Sequence, residues 1–414
     1  MNKTASSERS HIVFIGKRNV GKSSLINRFI GQELVIVSEV AGTTTDPVRK
    51  AMELLPFGPV VLIDTAGLDD VGNLGEKRIT KTLQVISEAD FAVVILDSTQ
   101  NLDKTEINLH DHLENLQIPF LTVLNKSDLG LNDKLLKQLN EKTLEFIQVS
   151  CLTNSGINEL KEKVANILPK ELAPPLIGDL VKQQDVVVLV VPIDLGAPKG
   201  RLIMPQVQTI REALDEDSIV VVSKDKELRA VLSNLKNNPK LVVTDSQAIM
   251  RVDADVPDEI QITTFSILMA RYKGDLKEYI EGLISVEKLQ NNDKILISEA
   301  CSHHAQEDDI GKVKIPRWLR LYTKKNLDIN IKHGKDFPEN LSDYKLIVHC
   351  GGCMLTRRAM QTRIKQAKFA GVPIVNYGIL ISYMHGAMPR AIYPFEEARQ
   401  VWKTHKLSFH NSII

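Results

Sequence analysis

The apolar run "HIVFI" (11–15) leads without a break into Gly16-Lys17-Arg18-Asn19-Val20-Gly21-Lys22-Ser23, and this junction constrains the fold more than any other feature of the chain. G-x-x-x-x-G-K-S is a phosphate-binding loop only where a strand precedes it and a helix follows, because the helix-start N–H groups must face the ligand. An α/β domain is therefore predicted at the amino end. Gly16 and Gly21 let the backbone wrap phosphates, Lys22 reaches the β and γ oxygens, and Ser23, followed by Ser24, is placed to ligate Mg²⁺. Alone, the pattern permits ATP or GTP.

Three later segments choose between them. "DTAG" (Asp64 to Gly67) follows the strand-like "VVLI", setting a carboxylate near the metal and the Gly67 N–H near the γ-phosphate. "NKSD" (Asn125 to Asp128) follows "FLTVL", and "SCLTNSG" (150–156) follows "EFIQV". These resemble the guanine-recognition signatures of translation-factor-like and Ras-like GTPases. The resemblance implies that Asp128 bonds guanine N1 and N2, Asn125 contacts N7, Lys126 packs along the base, and Ser150 and Cys151 supply a supporting loop. "AGTTTDP" (41–47) looks like the first switch segment, with Thr44 on Mg²⁺ and the γ-phosphate. Lys22, Thr44 and Gly67 are the expected catalytic residues, and GTP/GDP and Mg²⁺ the expected ligands. Leu68 stands where Ras-like proteins carry the water-orienting glutamine, so slow intrinsic hydrolysis is expected. Asn19 matches an asparagine of the MnmE and Era branch, where it helps bind K⁺, so stimulation by K⁺ over Na⁺ is expected.

A chain of 414 residues exceeds one ordinary core. Apolar strands alternating with amphipathic stretches predict an N-terminal Ras-like P-loop domain with a mostly parallel sheet over 1–170. "LPKELAPPLIG" (168–178) reads as a linker. "DVVVLVVPID" (185–194), "SIVVVS" (218–223) and "KLVVTD" (240–245) predict a smaller α/β domain over 171–264; "KILISEA" (294–300), "YKLIVHC" (344–350) and "VPIVNYG" (372–378) predict another over 265–414. With 52 basic and 52 acidic residues the chain has no electrostatic footprint for nucleic acid, so none is expected as a partner. No apolar run reaches the ~20 residues of a membrane span. The polar start "MNKTASSERS" lacks the apolar core of a secretion signal, so a cytoplasmic location is expected.

Three of the four cysteines fall in the last predicted domain. Cys301 follows one strand in Cys-Ser-His-His, and Cys350 and Cys353 follow another in His-Cys-Gly-Gly-Cys. Ligands of open α/β sheets bind beyond the carboxyl ends of strands, so both segments are predicted at one sheet edge. The pattern admits a redox pair, a structural zinc site of three cysteines and one histidine, or an iron–sulfur cluster. Three thiolates suit a [4Fe–4S] cluster with one iron open to an exchangeable ligand. His303, His349 and Glu307 are the candidates for that position.

A GTPase domain followed by Cys-x-His and a distant His-Cys-x-x-Cys resembles the HydF family of [FeFe]-hydrogenase maturation GTPases, over nearly the whole chain. The resemblance implies a cluster on Cys301, Cys350 and Cys353, and a role as scaffold and carrier of the di-iron subcluster. It further implies a dimerising middle domain, with radical S-adenosylmethionine maturases and apo-[FeFe]-hydrogenase as partners. An RNA-modification or ribosome-assembly GTPase with structural zinc is the competing expectation.

Overall fold

The computed structural model describes residues 6–31, 39–40, 47–68, 73–169, 173–192, 202–300, 309–334, 337–338 and 340–410, without the side chains of 39–40, 73–78 and 405–410. Thr44, Cys301, His303 and Glu307 lie outside the described residues. The chain forms two compact units, Met1–Leu172 and Ala173–Ile414.

The first unit holds strands β1 (Ser10–Ile15), β2 (Glu39–Val40), β3 (Val48–Leu54), β4 (Gly58–Asp64), β5 (Phe91–Asp97), β6 (Phe120–Asn125) and β7 (Phe146–Gln148). They form one sheet in the order β2-β3-β4-β1-β5-β6-β7. β4, β1, β5, β6 and β7 run parallel; β3 is antiparallel to β4, and β2 to β3. The apolar runs are unbroken because both faces are covered. Ile12 and Phe14 point into a core shared with the helices Lys22–Ile30 and Ile157–Ile167, whereas Val13 and Ile15 point into a second core with the helix Lys104–Asn115. This is the Ras-like α/β fold expected from the loop and its flanking strands.

The second unit carries two parallel four-stranded sheets. β8 (Val186–Val190), β9 (Ile219–Ser223), β10 (Leu241–Thr244) and β11 (Gln261–Thr264) are ordered β11-β10-β8-β9. β12 (Lys294–Glu299), β13 (Asp328–His333), β14 (Leu346–His349) and β15 (Ile374–Asn376) are ordered β13-β12-β14-β15. No linker separates them at 264/265: Thr264 ends β11, and its hydroxyl caps the helix Phe265–Lys273 by accepting from Ile267 N–H at 3.1 Å. That helix and Leu276–Ile284 fill one continuous core, in which Leu189 and Val243 join Met269, Tyr279, Ile295 and Val348. Two sheets thus share one hydrophobic interior.

Candidate functional site

The phosphate loop leaves β1 at Ile15, and its glycines are dictated by space and dihedral. A Cβ on Gly16 would lie 2.4 Å from the Ile95 carbonyl oxygen; Gly21 has φ +93° and would drive a Cβ to 2.3 Å from Asn125 Nδ2. Asn19, exposed at φ 60°, takes the left-handed turn that asparagine tolerates best among side-chain-bearing residues. Lys22 Nζ donates to the carbonyls of Lys17 (2.6 Å) and Gly16 (3.1 Å), spanning the loop. Ser24 lies exposed in the first turn of Lys22–Ile30.

Two further strand ends meet this loop. Asp64, last residue of β4, accepts from Ser23 Oγ at 2.6 Å through Oδ2, while its buried Oδ1 has no hydrogen-bond partner among the described residues. An orphaned carboxylate oxygen beside a serine hydroxyl is a donor set suited to Mg²⁺, a hard cation served by oxygen ligands. Behind it, Thr65 Oγ1 donates to Phe14 O at 2.8 Å, Gly67 is buried, and Leu68 N–H donates to Gly16 O at 3.4 Å.

The residues expected to recognise the base gather at the ends of β5, β6 and β7. Asn125 is buried; it donates to Val20 O at 2.8 Å and accepts from Cys151 N–H at 3.4 Å, joining the base-side loops to the phosphate loop. Losing such a buried amide strands a carbonyl, at a cost of about 1–3 kcal/mol. Lys126, at φ 64°, donates to Asp97 Oδ2 at 2.6 Å. Burial pushes the Asp97 carboxyl up, but hydrogen bonds from Lys126 and Thr99 outweigh it and hold the group below the usual carboxylate range. Ser150 Oγ donates to Asp128 Oδ1 and accepts from Thr153 N–H, aiming the Asp128 carboxylate. Burial raises the Cys151 thiol, which is therefore a neutral part of the wall. Asp97 was missed from sequence, although it stands opposite Asn125 in the β5/β6 register. An acidic residue at a strand's carboxyl end was the available signal.

The second site lies where β13 and β14 depart to opposite sides of β12, the switch point at which parallel sheets open a crevice. Ser298 pairs with His349, Cys350 N–H donates to Ser298 O at 3.0 Å, and Ala300 N–H donates to Cys350 Sγ at 3.1 Å. The residue before Cys301 is thus bonded to the sulfur of Cys350. Amide-to-sulfur bonds are among the levers that tune iron–sulfur centres, so the described part of the donor set fits such a group. Cys350 and Cys353 are both partly buried, and neither forms a disulfide. Burial raises the Cys353 thiol, against the opposing pull of the Lys273 charge. Among the described residues no three His, Cys, Asp or Glu side chains are close enough to hold a metal ion.

His349 was expected among the metal ligands, and its surroundings support a different role. It is fully buried; its ring contacts Cys350 O through Nδ1 at 2.8 Å and Arg363 Nη1 through Nε2 at 3.0 Å. A carbonyl can only accept and a guanidinium only donate, so the ring is the neutral tautomer with the proton on Nδ1. Burial and then the Arg363 charge push its pKa down to about 3. With both nitrogens engaged, His349 braces the cysteine loop and presents no lone pair to a metal.

Comparison with known proteins adds family context. Residues 277–394 match the family described as "Hydrogen maturase F tetramerization domain", 176–274 the "Hydrogen maturase F dimerization domain", and 11–126 the "50S ribosome-binding GTPase" family. The tRNA modification GTPase MnmE of Thermoanaerobacter sp. (strain X514) is 35% identical over 195 residues, covering 45% of this chain and 40% of that protein. MnmE of Clostridioides difficile (strain 630) is 33% identical over 162 residues, covering 38% and 34%. The chain therefore spans well under half the length of these relatives. Among solved structures, a point variant of Aquifex aeolicus Era bound to GDP·AlF4⁻ is 21% identical over 52% of this chain and 94% of that one, with a TM-score of 0.33. The G domain of the T. maritima FeoB iron transporter is 20% identical over 39% and 99%, with a TM-score of 0.30. No helix among the described residues is long and apolar enough to cross a membrane.

Proposed function

The chain belongs to the hydrogen maturase F family, and from that premise we propose that this hydrogenase-maturation GTPase is a GTP-gated scaffold, holding a [4Fe–4S] cluster on Cys301, Cys350 and Cys353. Its cargo is the di-iron subcluster destined for apo-[FeFe]-hydrogenase, with radical S-adenosylmethionine maturases as suppliers. The dimerization and tetramerization families matched by residues 176–394 support self-association, with a homodimer through 176–274. The observation that carries the metal assignment is the Ala300 N–H bond to Cys350 Sγ, which brings the neighbour of Cys301 onto the second cysteine segment. When bound, such a cluster supplies an iron with an exchangeable position. His303 or Glu307 fills it, since His349 is committed to Cys350 and Arg363.

GTP acts by population shift: a γ-phosphate held by the switch loops presents partners with a different surface from that offered with GDP. Hydrolysis times partner binding or release. A Ser23→Asn variant, which disturbs the Mg²⁺ ligand, is therefore expected to mature hydrogenase in a reconstituted assay at a small fraction of the wild-type rate. Maturation at the wild-type rate would remove GTP gating from the proposal.

K⁺ is the expected monovalent activator, with exposed Asn19 beside the phosphates as its protein ligand. The segment expected to close over it, 41–46, lies outside the described residues. Turnover in KCl is expected to exceed that in matched NaCl by roughly tenfold, the scale of one 1.4 kcal/mol interaction. An Asn19→Ala variant should erase the difference; equal wild-type rates in the two salts would refute the ion site. The competing RNA-associated reading draws on a likeness covering 45% of the chain, whereas 176–394 match maturase domains.

A further inference from the structure

Two cations are buried against the loop that carries Cys350 and Cys353. Lys273, last residue of the helix Phe265–Lys273, is 1% exposed and donates from Nζ to Leu355 O at 2.8 Å and Cys353 O at 3.3 Å. Arg363, on the helix Arg357–Phe369, is 2% exposed. Its guanidinium donates to His349 Nε2 and stacks over the Phe337 ring at 5.1 Å, and His349 in turn donates to Cys350 O. One cation thus grips each cysteine's own carbonyl, Lys273 directly and Arg363 through the imidazole.

Lysine and arginine are rarely buried, because desolvating a charge is costly. Neutral donors could satisfy the same carbonyls without that cost. A metal centre on three thiolates is anionic, and in a low-dielectric setting a neighbouring positive charge acts on it strongly. We propose that Lys273 and Arg363 form a buried cationic cradle for an anionic cluster on the cysteine loop, as positioning residues that set how firmly it is held and how readily it is reduced. This rests on the cluster assignment above. Reduction adds negative charge, so removing a cation disfavours the reduced form and lowers the potential.

The test uses the full chain reconstituted anaerobically with iron and sulfide. Iron per chain and an EPR-monitored redox titration are compared for wild type, Lys273→Met, Arg363→Met and the charge-keeping Lys273→Arg and Arg363→Lys, with Gln variants where Met costs the fold. Each neutral variant is expected to make reduction at least about tenfold less favourable, a shift of about 59 mV for a one-electron couple, and to retain less iron. The charge-keeping variants should stay near wild type. A potential unchanged in the neutral variants, or shifted as far in the charge-keeping ones, overturns the cradle. A wild-type chain that takes up no cluster would instead overturn the cluster assignment.

Discussion

Replacing Lys22 with alanine is expected to lower the rate of GTP hydrolysis by roughly 10²–10³-fold, the usual consequence of removing one preorganised donor from developing charge. Binding should weaken by about 1.5–3 kcal/mol as well, since the lost hydrogen bond is charge-assisted. The geometry of the loop explains why both effects fall on one residue. Lys22 Nζ bridges the carbonyls of Gly16 and Lys17, so it also braces the loop. The variant therefore loses both the charge and the brace. Single-turnover hydrolysis and titration with a fluorescent guanine nucleotide measure the two separately. A rate within twofold of wild type would mean that the loop after β1 is not where phosphoryl transfer occurs.

The strand-end placement of the candidate nucleotide segments was legible in the sequence because they are short and contiguous, each at the carboxyl end of an apolar strand. Gly16 to Ser23, Asp64 to Gly67 and Asn125 to Asp128 could each be placed from local pattern alone. The cross-links between those segments were not legible, because they pair residues remote in sequence: Asn125 with the Val20 carbonyl, and Lys126 with Asp97. The cysteine edge followed from the same strand-end logic, and β12 and β14 do lie side by side.

His349 entered the candidate ligands because it adjoins Cys350, and adjacency in sequence suggests shared ligation. What decides its role is Arg363, a turn and a helix further along, whose guanidinium occupies Nε2. Lys273 and Arg363 were themselves invisible for the opposite reason. A basic residue in an amphipathic stretch reads as a solvated face, and only tertiary packing puts these two under the cysteine loop. The shared interior was not legible either: the sequence predicts a separate domain from residue 265, and in the folded chain the cluster holding Phe265, Met269 and Tyr279 spans both sheets.

The Cys301→Ala, Cys350→Ala, Cys353→Ala triple variant is expected to lose its iron–sulfur signal completely while hydrolysing GTP as wild type does. The second half follows from the architecture, because the nucleotide residues belong to the unit Met1–Leu172, which has its own cores on both faces of its sheet. The fold of the other unit should survive too. Cys350 and Cys353 are only partly buried, and truncating them removes one sulfur atom each from a loop whose backbone is held by Ser298, Lys273 and, through His349, Arg363. After anaerobic reconstitution with iron and sulfide, reduced wild-type protein should give the EPR signal of about one [4Fe–4S] cluster per chain, as a set of three cysteine thiolates implies. Stoichiometric zinc with no iron signal would transfer the same cysteines to a structural site and leave the GTPase without its cargo platform. A signal that persists in the triple variant would place the cluster elsewhere, and Ala300 bonded to the Cys350 sulfur would then be only a turn at the end of a strand.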